Sequence, residues 1–445
     1  ASGLFLARVH VARWPALLGT PYGATLLAKL AFMTAALALA ARLRWRALPR
    51  ARETAEPVSM RPWLLAEAAF GGLAVFAAAL LAETVPAAHD TIAWWLPFRF
   101  SIRATWGLPW VAERVGFGVV LVVCAVALAA ARWRRGERGG AIVGFAAFTS
   151  VAGAFALPAI SVPAFPGTYW TPDVPYHAIS VANGRRLYRE HCVRCHGEAG
   201  RGDGPLAREQ PKPPANLTEP HTADHTAGDM FWWLTHGIED SGMPPFADVL
   251  SPDERWDLVN YLRAFASGYQ GRILGSRVSP EKPWLGAIDF NYRLEDDGRG
   301  LLRDFRGRAV VLLVLFTPGT SDARLARLQA LLPEIRRAGG EVLVVPTAPS
   351  APRSYAPLPI VAAGAEDVVE SFLLLRRTFA DPGNDADDDR PPHLELLIDR
   401  SGYVRARWRP DLDTDGWDDD ERLVGEIAIL AREPQILLPP DDHVH

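Results

Sequence analysis

The stretch Asn183-Gly184-Arg185-Arg186-Leu187-Tyr188-Arg189-Glu190-His191-Cys192-Val193-Arg194-Cys195-His196 decides how this chain is read. Its first part reads as a short helix, and its end is a Cys-x-x-Cys-His motif. Two thiols spaced by two residues can each form a thioether to one haem vinyl group, and the histidine directly after them lies under the iron as proximal ligand. The alternatives are a thioredoxin-like redox pair, which should follow a strand within a βαβ pattern, and half of a zinc site, which needs a second matching cluster. With His196 adjacent and no second cluster in the chain, the motif predicts one covalently bound haem c on Cys192 and Cys195, with His196 as an axial iron ligand.

Working outward, the sixth ligand is expected from a later loop. Gly242-Met243-Pro244-Pro245-Phe246 offers a thioether on a backbone fixed by two prolines, so Met243 is the axial candidate. Met230, His225 and His236 compete, but Met230 and His236 fall in an expected helix from Gly228 to Gly237 whose Phe231, Trp232 and Leu234 need to pack. Ser251-Pro252-Asp253-Glu254 is a helix start, with a capping serine, proline at the first position and acids in the first turn. That helix should run to about Ala266 and place Trp256, Leu258, Tyr261 and Leu262 on Leu187 and Tyr188. The order of helix, attachment motif, methionine loop and final helix over about Val181 to Ser267 resembles class I cytochromes c. So do the turn Gly200-Arg201-Gly202-Asp203-Gly204-Pro205 and the segment Pro213-Pro214-Ala215-Asn216-Leu217. The resemblance implies an all-α class I cytochrome c domain, placed at residues 175–268. With both axial positions filled by His196 and Met243, such a haem passes electrons rather than binding oxygen.

Upstream, Tyr22 to Ala41, Trp63 to Ala82, Leu108 to Ala131 and Ala141 to Val162 are mostly Ala, Leu, Val and Phe. Each is about 20 residues, the length that crosses a bilayer as helix. These runs predict a transmembrane α-helical bundle of about four helices within residues 1–165, in contact with membrane lipid. The turn after the first run carries Arg42, Arg44, Arg46, Arg50, Arg52 and Arg61, and that after the third carries Arg132, Arg134, Arg135 and Arg138. Such turns face the cytoplasm, which puts the chain after Val162 outside, in the periplasm of a bacterial inner membrane. Lys29 and Glu113 stand out inside the runs and are expected to pair at matching depth, while Glu67 has no assigned role. The opening at Ala1 reads as a processed chain or one missing an upstream segment. Thr20-Pro21-Tyr22-Gly23, with Leu26, Leu27 and Lys29 following and Arg44 to Pro49 closing the run, resembles the copper-resistance protein D family over about the first 85 residues. Copper enters as a possible second cofactor through that family name, with His10 and His89 as isolated candidates.

Downstream, Ala309 to Phe316 reads as a buried strand, Ser321 to Ala338 as a helix and Val342 to Val345 as a strand. A helix from Ser371 to Phe379, a hairpin of Leu394 to Ile398 and Tyr403 to Trp408, and a helix from Asp420 to Arg432 complete an α/β layout over residues 280–438. The strand followed by Thr317-Pro318-Gly319-Thr320 resembles thioredoxin-like proteins, notably the Sco-type chaperones, and Pro391-Pro392 resembles their cis-proline site. Pro318 to Leu325, where that family carries a cysteine pair, has no cysteine, so this α/β thioredoxin-like domain is expected to dock or brace rather than exchange thiols. As a docking module it should be removable without disturbing the haem. Asp411-Leu412-Asp413-Thr414-Asp415-Gly416 copies the opening of a calcium loop, but its closing acid is replaced by Arg422.

The chain has 445 residues and a formal charge of -4, with basic residues scattered, which excludes a nucleic-acid partner. Its three cysteines, with Cys124 in an apolar run, give no disulfide framework. The leading reading is a one-haem electron carrier tethered beside a membrane redox complex or other cytochromes, and not a stand-alone catalyst. The alternative is copper transport or copper delivery with an accessory haem domain.

Overall fold

The computed structural model describes residues 8–48, 60–219, 221–222, 225–279, 282–348, 355–376 and 391–435. The expected basic positions Arg50 and Arg52, the end of the Ser371 to Phe379 helix and the acidic run Asp385 to Asp389 lie outside these residues. The chain divides into two compact units, Ala1–Thr171 and Pro172–His445.

In the first unit, four helices among the described residues are long and apolar enough to cross a membrane. Helix α1 (Pro21–Arg42) starts on Thr20, whose hydroxyl accepts the Gly23 N–H at 3.1 Å and donates to the Ala16 carbonyl at 2.7 Å. It packs on α2 (Arg61–Glu83). Strand β1 (Phe98–Phe100) leads to α3 (Val111–Arg134), and α4 (Arg138–Ala156) packs back on α3. The third run opens at Val111 rather than Leu108, because Trp110 takes a left-handed conformation before it. The fourth ends at Ala156, well short of Val162, since Pro158 cannot continue the ladder. The chain then forms β2 (Ser161–Pro163), antiparallel to β1.

Apolar side chains point outward along these helices: Leu37 is 62%, Val75 71% and Val143 69% exposed, a surface that suits lipid. At one end of the bundle Trp14, Trp94 and Tyr169 meet edge to face, joining the segment before α1, the segment after α2 and the segment after α4. Lys29 and Glu113 do not pair. Glu113 sits in the first turn of α3 while Lys29 lies two turns into α1, and each of these helices packs on a different neighbour.

In the second unit, α5 (Ala178–His191) crosses α7 (Pro252–Gln270), with α6 (Ala227–His236) against α7. Thr226 and Ser251 both close capping boxes, with Asp229 and Glu254, which fixes where α6 and α7 begin. Tyr188 packs on Tyr261 and Phe265 at 5.3 and 6.1 Å, as the apolar spacing required. Trp256 stacks on Phe231 of α6 at 4.0 Å.

The remaining chain builds two sheets. Strands β3 (Asn291–Leu294), β4 (Arg299–Leu301) and β7 (Val361–Ala363) form a small antiparallel sheet in the order β4-β3-β7. The main sheet is β6-β5-β8-β9, from β5 (Val310–Phe316), β6 (Gly340–Pro346), β8 (His393–Ile398) and β9 (Val404–Trp408). Strand β5 is buried along its whole length, parallel to β6 and antiparallel to β8. Helix α8 (Asp322–Arg337) crosses from β5 to β6, α9 (Ala365–Phe372) follows β7, and α10 (Asp420–Arg432) closes the domain. This β-α-β-α-β-β-α order is the thioredoxin-like arrangement. The helix expected at Ser371 begins earlier, at Ala365, and the Pro391–Pro392 bond is trans; the one cis bond among the described residues is Ala356–Pro357.

The cytochrome-like and thioredoxin-like segments share packing. The Ser371 hydroxyl donates to the Ala178 carbonyl at 2.9 Å, Arg185 pairs with Glu370, and Gly268 leaves room for the Leu374 carbonyl. Arg407 donates to the carbonyls of Leu274 and Leu375, and its burial pushes the guanidinium down to about 10. The thioredoxin-like segment thus packs into the cytochrome-like one, and α9 against α5 and residues 373–375 against α7 form a wall behind them. Deleting residues 289–445 removes that wall, should expose the α5 and α7 faces it covers, and should sharply reduce the yield of folded, haem-bearing protein, measured as covalent haem per chain.

In the segment from Pro318 to Leu325, Ser321 and Arg324 make polar contacts to the neighbouring strand β8 and the residue before it. The Ser321 hydroxyl donates to the Pro392 carbonyl at 3.0 Å, and Arg324 forks onto Glu395 at 2.7 and 2.9 Å while His393 Nε2 meets the same carboxylate at 2.8 Å. Burial pushes the Glu395 carboxyl up, but Arg324's charge and fork, with His393, outweigh it and hold it at about 2. Its stabilisation is thus complete above its ordinary value of 4.5 and is lost as pH falls from there toward 2. Glu395→Gln should cost about 3–5 kcal/mol at neutral pH by stranding Arg324. It should also remove that acid-dependent step, read as amide exchange protection of β8.

Candidate haem site

The attachment motif continues α5 by one turn. The N–H groups of Cys195 and His196 donate to the Cys192 carbonyl at 3.1 and 2.8 Å, and Gly197 N–H donates to Val193 at 2.8 Å. Cys192, Cys195 and His196 are brought together on this turn, each half-buried. Tyr188, one turn back on α5, donates its hydroxyl to the Gly197 carbonyl at 2.7 Å and clamps the turn from behind. The loop from 197 to 206 then wraps over it: Gly202, Gly204 and Leu206 N–H groups donate to the carbonyls of His196, Cys195 and Arg194 at 2.9, 3.1 and 2.8 Å. These bonds satisfy carbonyls that a short helical end would leave open.

His196 Nδ1 lies 3.0 Å from the Ala215 carbonyl. A backbone carbonyl only accepts, so Nδ1 carries the proton and Nε2 keeps its lone pair for a metal, the arrangement seen at metal-ligating histidines. Burial lowers the imidazole's affinity for a second proton, more than the Ala215 bond raises it, which favours the neutral ligand form. Burial, and then Cys195 nearby, push the Cys192 thiol up to about 12, opposite to the lowered thiol of a redox pair. These donors fit a covalently held haem: two thiols on one turn and one imidazole with a free Nε2.

Met243 stands half-buried in a separate loop, its N–H donating to Ser241 Oγ at 3.2 Å and its carbonyl accepting Ile238 N–H at 3.1 Å. That loop reaches the attachment turn through Gln210. Gly242 packs on the Gln210 side chain, Gln210 donates to the Leu206 carbonyl, and Leu206 bonds Arg194. The competing candidates are engaged elsewhere. Met230 is 5% exposed in the α6 core, the His236 ring stacks on Trp232 at 3.8 Å, and the His225 ring meets Trp233 at 4.7 Å.

The functional group that sequence reading missed is the Ala215 carbonyl, since a backbone acceptor has no side-chain signature; the prolines before it were the only trace. The copper candidates stay apart from any cluster. His10 stacks on Tyr22, His89 ends a short turn, and among the described residues no group of three His, Cys, Asp or Glu side chains converges. In the Asp411 loop, Asp411 pairs with the Arg409 guanidinium and Asp413 accepts the Arg409 N–H, so the carboxylates that a calcium ion would need are turned onto arginine.

Gly202 has φ +77, and a Cβ there would lie 2.2 Å from the Pro214 carbonyl. Gly202→Ala should push Pro214 and Ala215 off the His196 ring and lower covalent haem per chain several-fold, by absorbance of the denatured protein, while leaving the α5–α7 core folded.

The cytochrome c family model matches residues 181–266, and the copper resistance protein D model matches residues 1–81. No curated protein matches the chain. Among solved structures, a reducing HAO-like protein complex of Kuenenia stuttgartiensis is 29% identical, covering 28% of this chain and 58% of that one, with a TM-score of 0.19. A Sco-family cytochrome c oxidase assembly protein is 12% identical, covering 35% of this chain and 99% of its own, with a TM-score of 0.25. Peroxiredoxin Q of Xanthomonas campestris is 17% identical over 32% of this chain and 92% of its own, with a TM-score of 0.24. The chain thus joins a membrane segment matching the copper resistance protein D family to a domain of the cytochrome c family, and the latter implies covalently bound haem c and a role in electron transfer.

Proposed function

We propose that the protein is a membrane-anchored, single-haem c-type cytochrome that passes electrons on the periplasmic side of a bacterial inner membrane, as a subunit or partner of a membrane redox complex. The observation that carries this reading is the attachment turn, with Cys192 and Cys195 beside a His196 ring held by Ala215. When bound, haem supplies one-electron chemistry. Cys192 and Cys195 would hold it covalently, and His196 Nε2 and the Met243 thioether would ligate its iron. Ala215 and Tyr188 orient the first ligand, and the Gln210 contact positions the second. Orientation rests on Arg132, Arg134, Arg135 and Arg138 at the turn between α3 and α4, whose positive charge supports a cytoplasmic turn. The aromatic end of the bundle, from which the chain leaves α4, is the opposite end.

A second reading, copper transport or delivery with an accessory haem domain, is favoured by the match over residues 1–81. Whole-cell copper accumulation separates the two: the electron-carrier reading expects no change on removing the protein, with a loss of respiratory electron flow.

The double substitution Cys192→Ala with Cys195→Ala should leave no haem after denaturation and acid-acetone extraction, whereas either alone should weaken attachment. Haem surviving in the double variant would refute the assignment. Met243→Ala should abolish the weak long-wavelength sulfur-to-iron band and lower the reduction potential, because thioether sulfur favours ferrous iron. An unchanged spectrum would move the sixth ligand to another side chain.

A further inference from the structure

A cleft of about 440 Å³ lies where the start of α5 meets the small sheet and α9. Its volume is in the range of small-molecule sites. His177 forms part of its floor and stitches the two segments: Nε2 accepts the Asn291 N–H at 3.0 Å, and Nδ1 faces the Ile179 N–H at 3.3 Å.

Two arginines line the same cleft. Arg293 on β3 and Arg299 on β4 are directly opposite in the antiparallel ladder, and both are exposed. Like charges at facing positions repel and lower the stability of a hairpin. Neither guanidinium has an ion pair or side-chain hydrogen bond among the described residues, whereas nearby Arg303 pairs with Asp289 at 3.1 Å. Ile179, Phe290 and Val368 supply an apolar wall, and Asp367 is the one carboxylate in the lining.

We propose that this cleft binds a small organic anion, with a carboxylate or phosphate group held by Arg293 and Arg299 and an apolar body against Ile179, Phe290 and Val368. Two guanidinium forks suit an oxyanion because each can donate two parallel hydrogen bonds to it. The anion also removes the repulsion that the ladder imposes. Asp367 opposes the ligand's charge and limits its affinity.

The test is calorimetric titration of the full-length, haem-loaded protein in detergent with phenyl phosphate, inorganic phosphate and phenol. Phenyl phosphate should bind saturably at one site, inorganic phosphate more weakly and phenol not at all. Arg293→Gln or Arg299→Gln should weaken phenyl phosphate about tenfold or more, the double variant should lose it, and Arg337→Gln on α8 should change nothing. Asp367→Asn should tighten binding several-fold, which decides the matter if an arginine variant fails to fold by circular dichroism. No saturable binding, binding that survives the double substitution, or phenol binding as tightly as phenyl phosphate would overturn the proposal. Inorganic phosphate binding equally well would overturn its organic part.

Discussion

The backbone contact between α5 and α7 at Gly184 is the constraint from which the candidate haem site is built. A Cβ at Gly184 would lie 2.1 Å from the Asp257 carbonyl and 2.6 Å from Tyr261 Cβ, so no other residue lets the two helices approach this closely. That approach brings Tyr188 onto Tyr261 and Phe265, and it aims the Tyr188 hydroxyl at Gly197. Asn260, fully buried on the same stretch of α7, donates to the Val174 and Pro175 carbonyls and to Ser180, tying down the segment before α5. The position of the attachment turn is therefore a consequence of helix packing, and the loop bonds from Gly202, Gly204 and Leu206 refine it.

The far side of α7 explains why a thioredoxin-like fold without thiols remains useful. At Gly268 the helix again lacks a side chain, and the Leu374 carbonyl occupies the space. Apolar burial on both faces of α7 needs a second wall, which α9 and residues 373–375 supply. The sheet behind that wall carries a buried Arg324–Glu395–His393 network. A buried ion pair adds little net stability over an apolar core, yet breaking one partner is costly. Such a network fixes how β8 and α8 sit against each other, which suits a brace.

Legibility in the sequence followed locality. The spans, the capping boxes at Thr226 and Ser251, and the apolar run of β5 carry their signals within a few residues, and the structure places elements there. Fold class was legible for the same reason. What failed needed knowledge of which faces meet: Lys29 and Glu113 lie on helices that pack on different neighbours. In the candidate site, Cys192, Cys195 and His196 announce themselves by spacing, and the proposed ligand Met243 by its prolines. The Ala215 carbonyl and the Gly184 contact are backbone features that only tertiary structure exposes.

Helix α5 links these levels. It begins at His177 and Ala178, in the seam with the small sheet, and ends on Cys192, about 20 Å away for a helix of this length. Between those ends it is held by Gly184 against α7 and by the Arg185–Glu370 pair against α9. Held on both sides at its middle, it carries the seam residue His177 at one end and the Cys192–His196 turn at the other.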